Sequence, residues 1–357
     1  MTYSPFSRRS RTRSSRGHVR VTQTPNWPLW VAAGLGIILV LITLGIVIRR
    51  LVAPLFDEDS QPGDNRTWLH FSWAETPPDP DVIDRLATRL EDNEISLVYF
   101  LGTGFSPSTN DIVDGPYRAE FMAALRDAYP DVRILLWLYM EGESLLDLEQ
   151  QARAVDLSSR AVSEWGYDGV HLNINRVVSG SPTFIKLVTD VRDVIGPDAF
   201  LSVMVPPDYR PVDASIPTSP IVIPAEYTWE ETYKQEVGLL NVDEIVIQAF
   251  ASGLDTTADY ELWAAYQVES YTVALDQFDF DVDVVIALPT YEPINEGDRI
   301  YLDPDIENIR AAINAAKQGI SQAGEAGDRV TGVGVYEYAE TDDLEWSIFR
   351  ELWLGED

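Results

Sequence analysis

The 357-residue chain contains no cysteine. No disulfide can staple it, no thiol can act as a nucleophile, and no Cys-ligated metal can form, so a large domain must hold its fold through its own apolar core. Histidine is almost as scarce. His18, His70 and His171 are the only three, and two of them lie beyond the N-terminal region, which excludes a three-His zinc site there. Lysine is nearly missing too, with Lys186, Lys234 and Lys317 against 23 arginines. Gly102-Thr103-Gly104 lacks the third glycine of a dinucleotide fingerprint, and neither a Walker-type loop nor a G-x-S-x-G nucleophile elbow occurs. These residues call for no cofactor and no metal.

Positive charge is short everywhere except at the start. Residues 1–56 hold eight arginines and no acid, while the remainder has 18 basic residues and all 58 acids, a net charge of −40. A surface of that sign repels nucleic acid and excludes it as a partner. Long hydrophobic runs are also rare. The clear one is residues 29–48, 20 uncharged and mostly apolar residues, which at ~1.5 Å per residue span the ~30 Å of a bilayer core. Trp27 and Trp30 stand at its start, six arginines lie upstream, and only Arg49 and Arg50 follow. The arginine excess orients the N-terminus to the cytoplasm. The run is too long for a cleaved signal peptide and no small-x-small site follows it. The sequence thus predicts a basic disordered cytoplasmic tail (1–27), a transmembrane signal anchor (28–50), an acidic linker (51–65) and an extracytoplasmic domain (66–357). Asn65-Arg66-Thr67 matches a glycosylation sequon, which matters only in a eukaryote.

From residue 66 onward, short apolar runs alternate with helical periodicity. Eight strands are predicted at residues 67–72, 96–101, 132–139, 169–175, 200–205, 244–250, 282–288 and 332–338. Between them apolar residues recur at helical spacing, as in Phe184, Val188, Val191 and Ile195, with the fifth helix the faintest, near residues 229–240. Alternating β and α segments imply a parallel sheet, and eight such units over about 290 residues fit one α/β (β/α)8 TIM barrel, here preceded by one transmembrane helix. A doubly wound open sheet is the alternative.

Function in such a barrel sits at the C-terminal strand ends. The fourth predicted strand, Gly169-Val170-His171-Leu172-Asn173-Ile174-Asn175, alternates apolar and polar residues. Val170, Leu172 and Ile174 should face the helices, and His171, Asn173 and Asn175 the interior. Three polar side chains inside a barrel are costly unless hydrogen-bonded, so the column reads as either a pocket floor or a satisfied core network.

With Asp168 in front of it, this strand resembles the D-G-x-D-x-D-x-E signature of family 18 glycoside hydrolases, the chitinase type. Val285–Tyr291 resembles that family's seventh strand, and Gly332–Glu337 its eighth, where Tyr336 takes the place of a sugar-stacking Trp. The resemblance implies a barrel fold and a sugar groove. The departures bear on activity: Asn175 stands where the family has its general acid, Asn173 and His171 replace two aspartates, and Gln248-Ala249-Phe250-Ala251 replaces Met-x-Tyr-Asp. An amide cannot donate a proton to a glycosidic oxygen near neutral pH. Only Asp168 of the four carboxylates remains, and by parity it faces the helices.

The expectation is therefore a membrane-anchored, cell-surface chitinase-like barrel, a pseudoenzyme that binds glycan or cell-envelope polysaccharide without the family's catalysis. His171, Asn173, Asn175 and Gln248 would hydrogen-bond sugar, and Tyr336, Trp137 and Tyr291 would stack on it. Two rivals stand beside it. One is an active glycoside hydrolase using displaced acids, for which Glu141 and Glu292 are the best pair among the strand-end acids, Glu337 included. The other is a structural envelope scaffold with no small ligand.

Overall fold

The computed structural model describes residues 64–106, 111–211, 213–221, 224–278, 281–293 and 301–356. They fall within one compact unit, Ser60–Asp357. The anchor expected at 29–48, with its tail and most of its linker, lies outside the described residues. Among the described residues no helix is long and apolar enough to cross a membrane.

Eight parallel strands close into a barrel: β1 (Asn65–Leu69), β2 (Ile95–Phe100), β5 (Arg133–Glu141), β6 (Gly169–Asn175), β7 (Phe200–Val205), β8 (Glu244–Gln248), β9 (Asp283–Pro289) and β10 (Val330–Tyr336). Every strand pairs with its neighbour in sequence around the ring, and β10 closes on β1. β3 (Thr103–Phe105) and β4 (Ile112–Asp114) form a small antiparallel hairpin outside the ring. The eight helices described are α1 (Pro80–Asp92), α2 (Arg118–Ala128), α3 (Leu148–Ser163), α4 (Pro182–Ile195), α5 (Glu231–Gly238), α6 (Thr257–Asp276), α7 (Ile309–Ala323) and α8 (Asp343–Phe349). All eight strands expected from the alternation are present, and the faint fifth helix is α5.

Local chemistry sets the helix starts. Pro80 opens α1 behind Asp79, whose carboxylate accepts from the Asp81 amide. Ser181 caps α4 with Pro182 behind it, and Asp342 and Glu345 close a reciprocal capping box on α8. Strand parity then divides the core. Val170, Leu172 and Ile174 join the large layer between strands and helices, whereas Trp68, Tyr99, Trp137, Met204, Val246 and Phe250 pack inside the ring. The inner packing needs a glycine on β10. A Cβ on Gly334 would meet the Trp68 ring at 2.7 Å, so the residue without one lets that indole approach the strand closely.

The lower half of the barrel holds a polar layer. The Glu244 carboxylate, fully buried, accepts from Arg66 Nε at 2.7 Å, Tyr99 OH at 2.5 Å and Ser202 Oγ at 2.6 Å. Arg66 is equally buried and also reaches Asp64 at 3.3 Å. Asn65 is fully buried as well, its Oδ1 accepting from Val333 N and Trp353 Nε1, so no glycosyl group can reach the sequon there.

Candidate functional site

A cavity of about 500 Å³ opens at the C-terminal ends of β6, β7 and β8. The strands supply Asn173, Asn175, Met204 and Gln248 to its wall. The connection from β7 to α5 supplies Pro206, Tyr209 and Tyr227, and Arg176 follows directly on β6. This is the face where a parallel barrel places its ligand-handling side chains. Asn173 is 8% exposed, and Asn175 and Gln248 are half-buried. Two residues on the wall hold left-handed backbone without being glycine, Arg176 at φ 57° and Ala251 at φ 58°. Such positions cost of order 1 kcal/mol each and persist only where the surroundings enforce them.

The structure brings together three of the residues expected to bind ligand, Asn173, Asn175 and Gln248, and separates the other four from the cavity wall. His171 is fully buried. Its ring stacks on Tyr99 at 3.9 Å, and Nδ1 lies 2.8 Å from Ser202 Oγ. Since the Ser202 hydroxyl donates to Glu244, its oxygen can only accept from His171, which fixes the Nδ1–H tautomer and leaves Nε2 without a partner. Burial lowers the His171 pKa to about 3. The lower end of the polar column is thus a core network, and only its upper end reaches the pocket. Trp137 is 4% exposed, with its indole N–H unpartnered. Tyr336 has Phe250 stacked on it at 5.2 Å and the edges of Trp68, Trp137 and Tyr291 at 5.0, 6.1 and 5.5 Å. These rings spend their faces on one another, which the linear sequence could not show.

The acids divide as well. In the β5–β6 register Glu141 stands directly beside Asn175. Asn175 Nδ2 donates to Glu141 Oε2 at 3.0 Å, and Tyr139 OH donates to Oε1 at 2.6 Å. Burial, and then the Glu141 charge, push the Tyr139 phenol up to about 12, so it remains a donor. Glu292 is exposed on the far side, where its charge helps to raise the pKa of Glu345 at the start of α8. Glu337 is half-buried near His70, and burial raises its pKa. Asp168 lies on the helix side as parity required, accepting from Arg126 and the Ile134 amide.

One buried acid gave no signal in the sequence. Glu307, 2% exposed, accepts from the amides of Ala251, Ser252 and Gly253 at 2.7, 2.9 and 3.2 Å, and from the Ser252 hydroxyl. It pins the turn that places Ala251 in the cavity wall. Burial raises its pKa to about 7 against the pull of those hydrogen bonds. It stands 56 residues from Ala251 in sequence, and only closure of the barrel brings them together.

No protein-family model matches the chain, and no curated protein matches it in sequence. Solved structures do match in fold. The spore cortex-lytic enzyme SleL of Bacillus cereus superposes with a TM-score of 0.52 at 10% identity, covering 81% of this chain and 74% of that one. The chitinase-like agglutinin of Robinia pseudoacacia gives 0.52 at 11% identity over 81% and 99%. The family 18 chitinase of Cycas revoluta, solved in complex with (GlcNAc)3, gives 0.50 at 13% identity over 81% and 99%. At these identities the likeness is one of fold: the described domain is an eight-stranded parallel barrel whose structural neighbours are family 18 chitinases and chitinase-like proteins.

Proposed function

We propose that this protein is a membrane-anchored, chitinase-like barrel that binds glycan at the cell surface without the usual chemistry of that fold. The observation that carries the reading is the convergence of Asn173, Asn175 and Gln248 on one cavity at the C-terminal strand ends. Three amides offer paired donors and acceptors suited to sugar hydroxyls and acetamides. The residue at the place of the proton donor is Asn175, and an amide does not deliver a proton near neutral pH. Similar barrels include an agglutinin as well as chitinases, so the fold serves both kinds of protein. The anchor rests on residues 29–48 and their flanking arginines.

The test is calorimetric titration of the full-length protein in detergent with oligosaccharides. Saturable binding that Asn173→Ala and Gln248→Ala each weaken at least tenfold, with no release of product, is the expected result. Binding indifferent to both substitutions would sink the assignment of the cavity. The topology is checked separately by adding protease to intact cells: the barrel should be digested and the first 27 residues spared, and the opposite pattern would reverse the orientation.

A second reading is favoured by one contact, that of Glu141 with Asn175 in adjacent register. A carboxyl group beside the vacant acid position could take over proton transfer. Measurable hydrolysis abolished by Glu141→Gln would establish it in place of the binding reading.

A further inference from the structure

The chain carries 58 acidic residues against 26 basic ones, yet none of the described residues lining the cavity is an acid. Arg176 is the one ionised side chain among them. Many other arginines are matched by the surplus of carboxylates: Arg66, Arg89, Arg118, Arg126, Arg160 and Arg192 all stand in ion pairs. Arg176 is exposed and has no ion pair or hydrogen bond from its side chain to any described residue. Arg210 also stands without an ion pair on a cavity wall, but that wall carries Asp208, Asp213, Glu230 and Glu231, whereas the wall that holds Arg176 has no acid among its described residues.

Its backbone is also held in place. At φ 57° it occupies a conformation that an L-residue enters at a cost. The turn after β5 packs against this position. A Cβ on Gly142 would lie 2.5 Å from the Arg176 carbonyl oxygen and 2.7 Å from that of Asn175, so this glycine packs directly against the end of β6. The Arg176 charge is felt on both sides of the opening, where it opposes the upward pKa shifts of Tyr139 and Tyr209. Two acids close to the cavity lining are already engaged. Glu141 has one oxygen on Tyr139 and the other on Asn175, and Glu307 is buried with both oxygens on the turn at 251–253.

We propose that the cavity takes a carboxylate-bearing glycan, with Arg176 as the counter-charge for the sugar carboxylate. The inference rests on the glycan-binding reading and names the class of sugar. A planar guanidinium meets a carboxylate through two parallel N–H···O bonds, which gives both charge and orientation. The carboxylate can belong to a uronic acid ring or to a lactyl ether on an amino sugar, and the probes below separate the two. The domain's net negative charge acts against long polyanions, so short acidic oligosaccharides are the fitting ligands. At physiological salt the distant surface charge is screened beyond ~8 Å, while a contact pair in the cavity is not.

The full-length protein in detergent is titrated at 0.15 M salt with three tetrasaccharides of equal length. One alternates N-acetylglucosamine with glucuronate, one alternates N-acetylglucosamine with N-acetylmuramate, and one is neutral chitotetraose. At least one acidic probe should bind tenfold or more tighter than the neutral one, and which of them does identifies the carboxylate source. Arg176→Gln should bring that affinity down to the neutral value, and Arg176→Lys should retain part of the difference. Equal binding of all three, or a preference that survives Arg176→Gln, overturns the inference while leaving the glycan reading in place. Binding of none overturns both.

Discussion

His171 offers a direct test of the buried layer in the barrel. Its Nε2 lies in the interior with no acceptor nearby, and its Nδ1–H is committed to Ser202. Protonation would place a second cation in the interior that already holds Arg66. Burial accordingly depresses the pKa from an unfolded value near 6.5 to about 3. Between those limits the unfolded chain binds the proton and the folded chain does not, so stability is full above 6.5 and falls as pH drops through the window. For this residue alone the loss is about 2 kcal/mol at pH 5 and under about 0.1 kcal/mol at pH 7.5. The comparison is wild type against His171→Phe, which keeps a ring against Tyr99 and removes the titrating group. At pH 7.5 the variant should be weaker by about 1 kcal/mol, the cost of the hydrogen bond to Ser202. Urea unfolding followed by tryptophan fluorescence at pH 7.5, 6 and 5 measures both chains, and the difference between them cancels the background from the many carboxylates. The gap should close and then reverse by pH 5. If the two unfolding free energies keep a constant offset over that range, His171 is not a buried neutral imidazole and the tautomer argument fails.

Two other substitutions probe the same frame. Glu244→Gln leaves the Arg66 guanidinium buried without its main counter-charge and should cost ~3–5 kcal/mol, lowering Tm by roughly 10 °C for a domain of this size. Arg66→Met/Glu244→Leu should recover most of that, and a single-variant loss under about 1 kcal/mol in urea would contradict the assigned ion pair. Gly142→Ala forces a methyl group against the carbonyls of Asn175 and Arg176. It should cost ~1–3 kcal/mol and weaken glycan binding by displacing the end of β6, and unchanged melting would show that the turn can yield.

The barrel was legible because its information is periodic. A parallel strand buried on both sides reads as a short apolar run, and a covering helix reads as a 3.6-residue repeat, so Phe200–Val205 and Phe184–Ile195 declare themselves without reference to any other segment. Strand parity was equally readable, because alternation is a local property: it put Val170, Leu172 and Ile174 outside and His171, Asn173 and Asn175 inside. Parity fixes a direction but not a height. His171 lies beside Tyr99 and is covered, whereas Asn175, four residues later, reaches the open end.

The chain by itself determined the absence of thiol chemistry, the partition of charge along its length, the eight-fold βα order and the alternation that ends the fourth barrel strand on an amide, Asn175. Each is a matter of composition or of local spacing. The tertiary structure alone decided which polar groups are spent inside and which remain for a ligand. That depends on strand register and on contacts between distant residues: Glu141 beside Asn175, Glu307 beneath Ala251, and Phe250 stacked on Tyr336. It also depends on Arg176, which in sequence is one arginine of 23 and in the fold is the cation left unmatched among the described residues of the cavity wall.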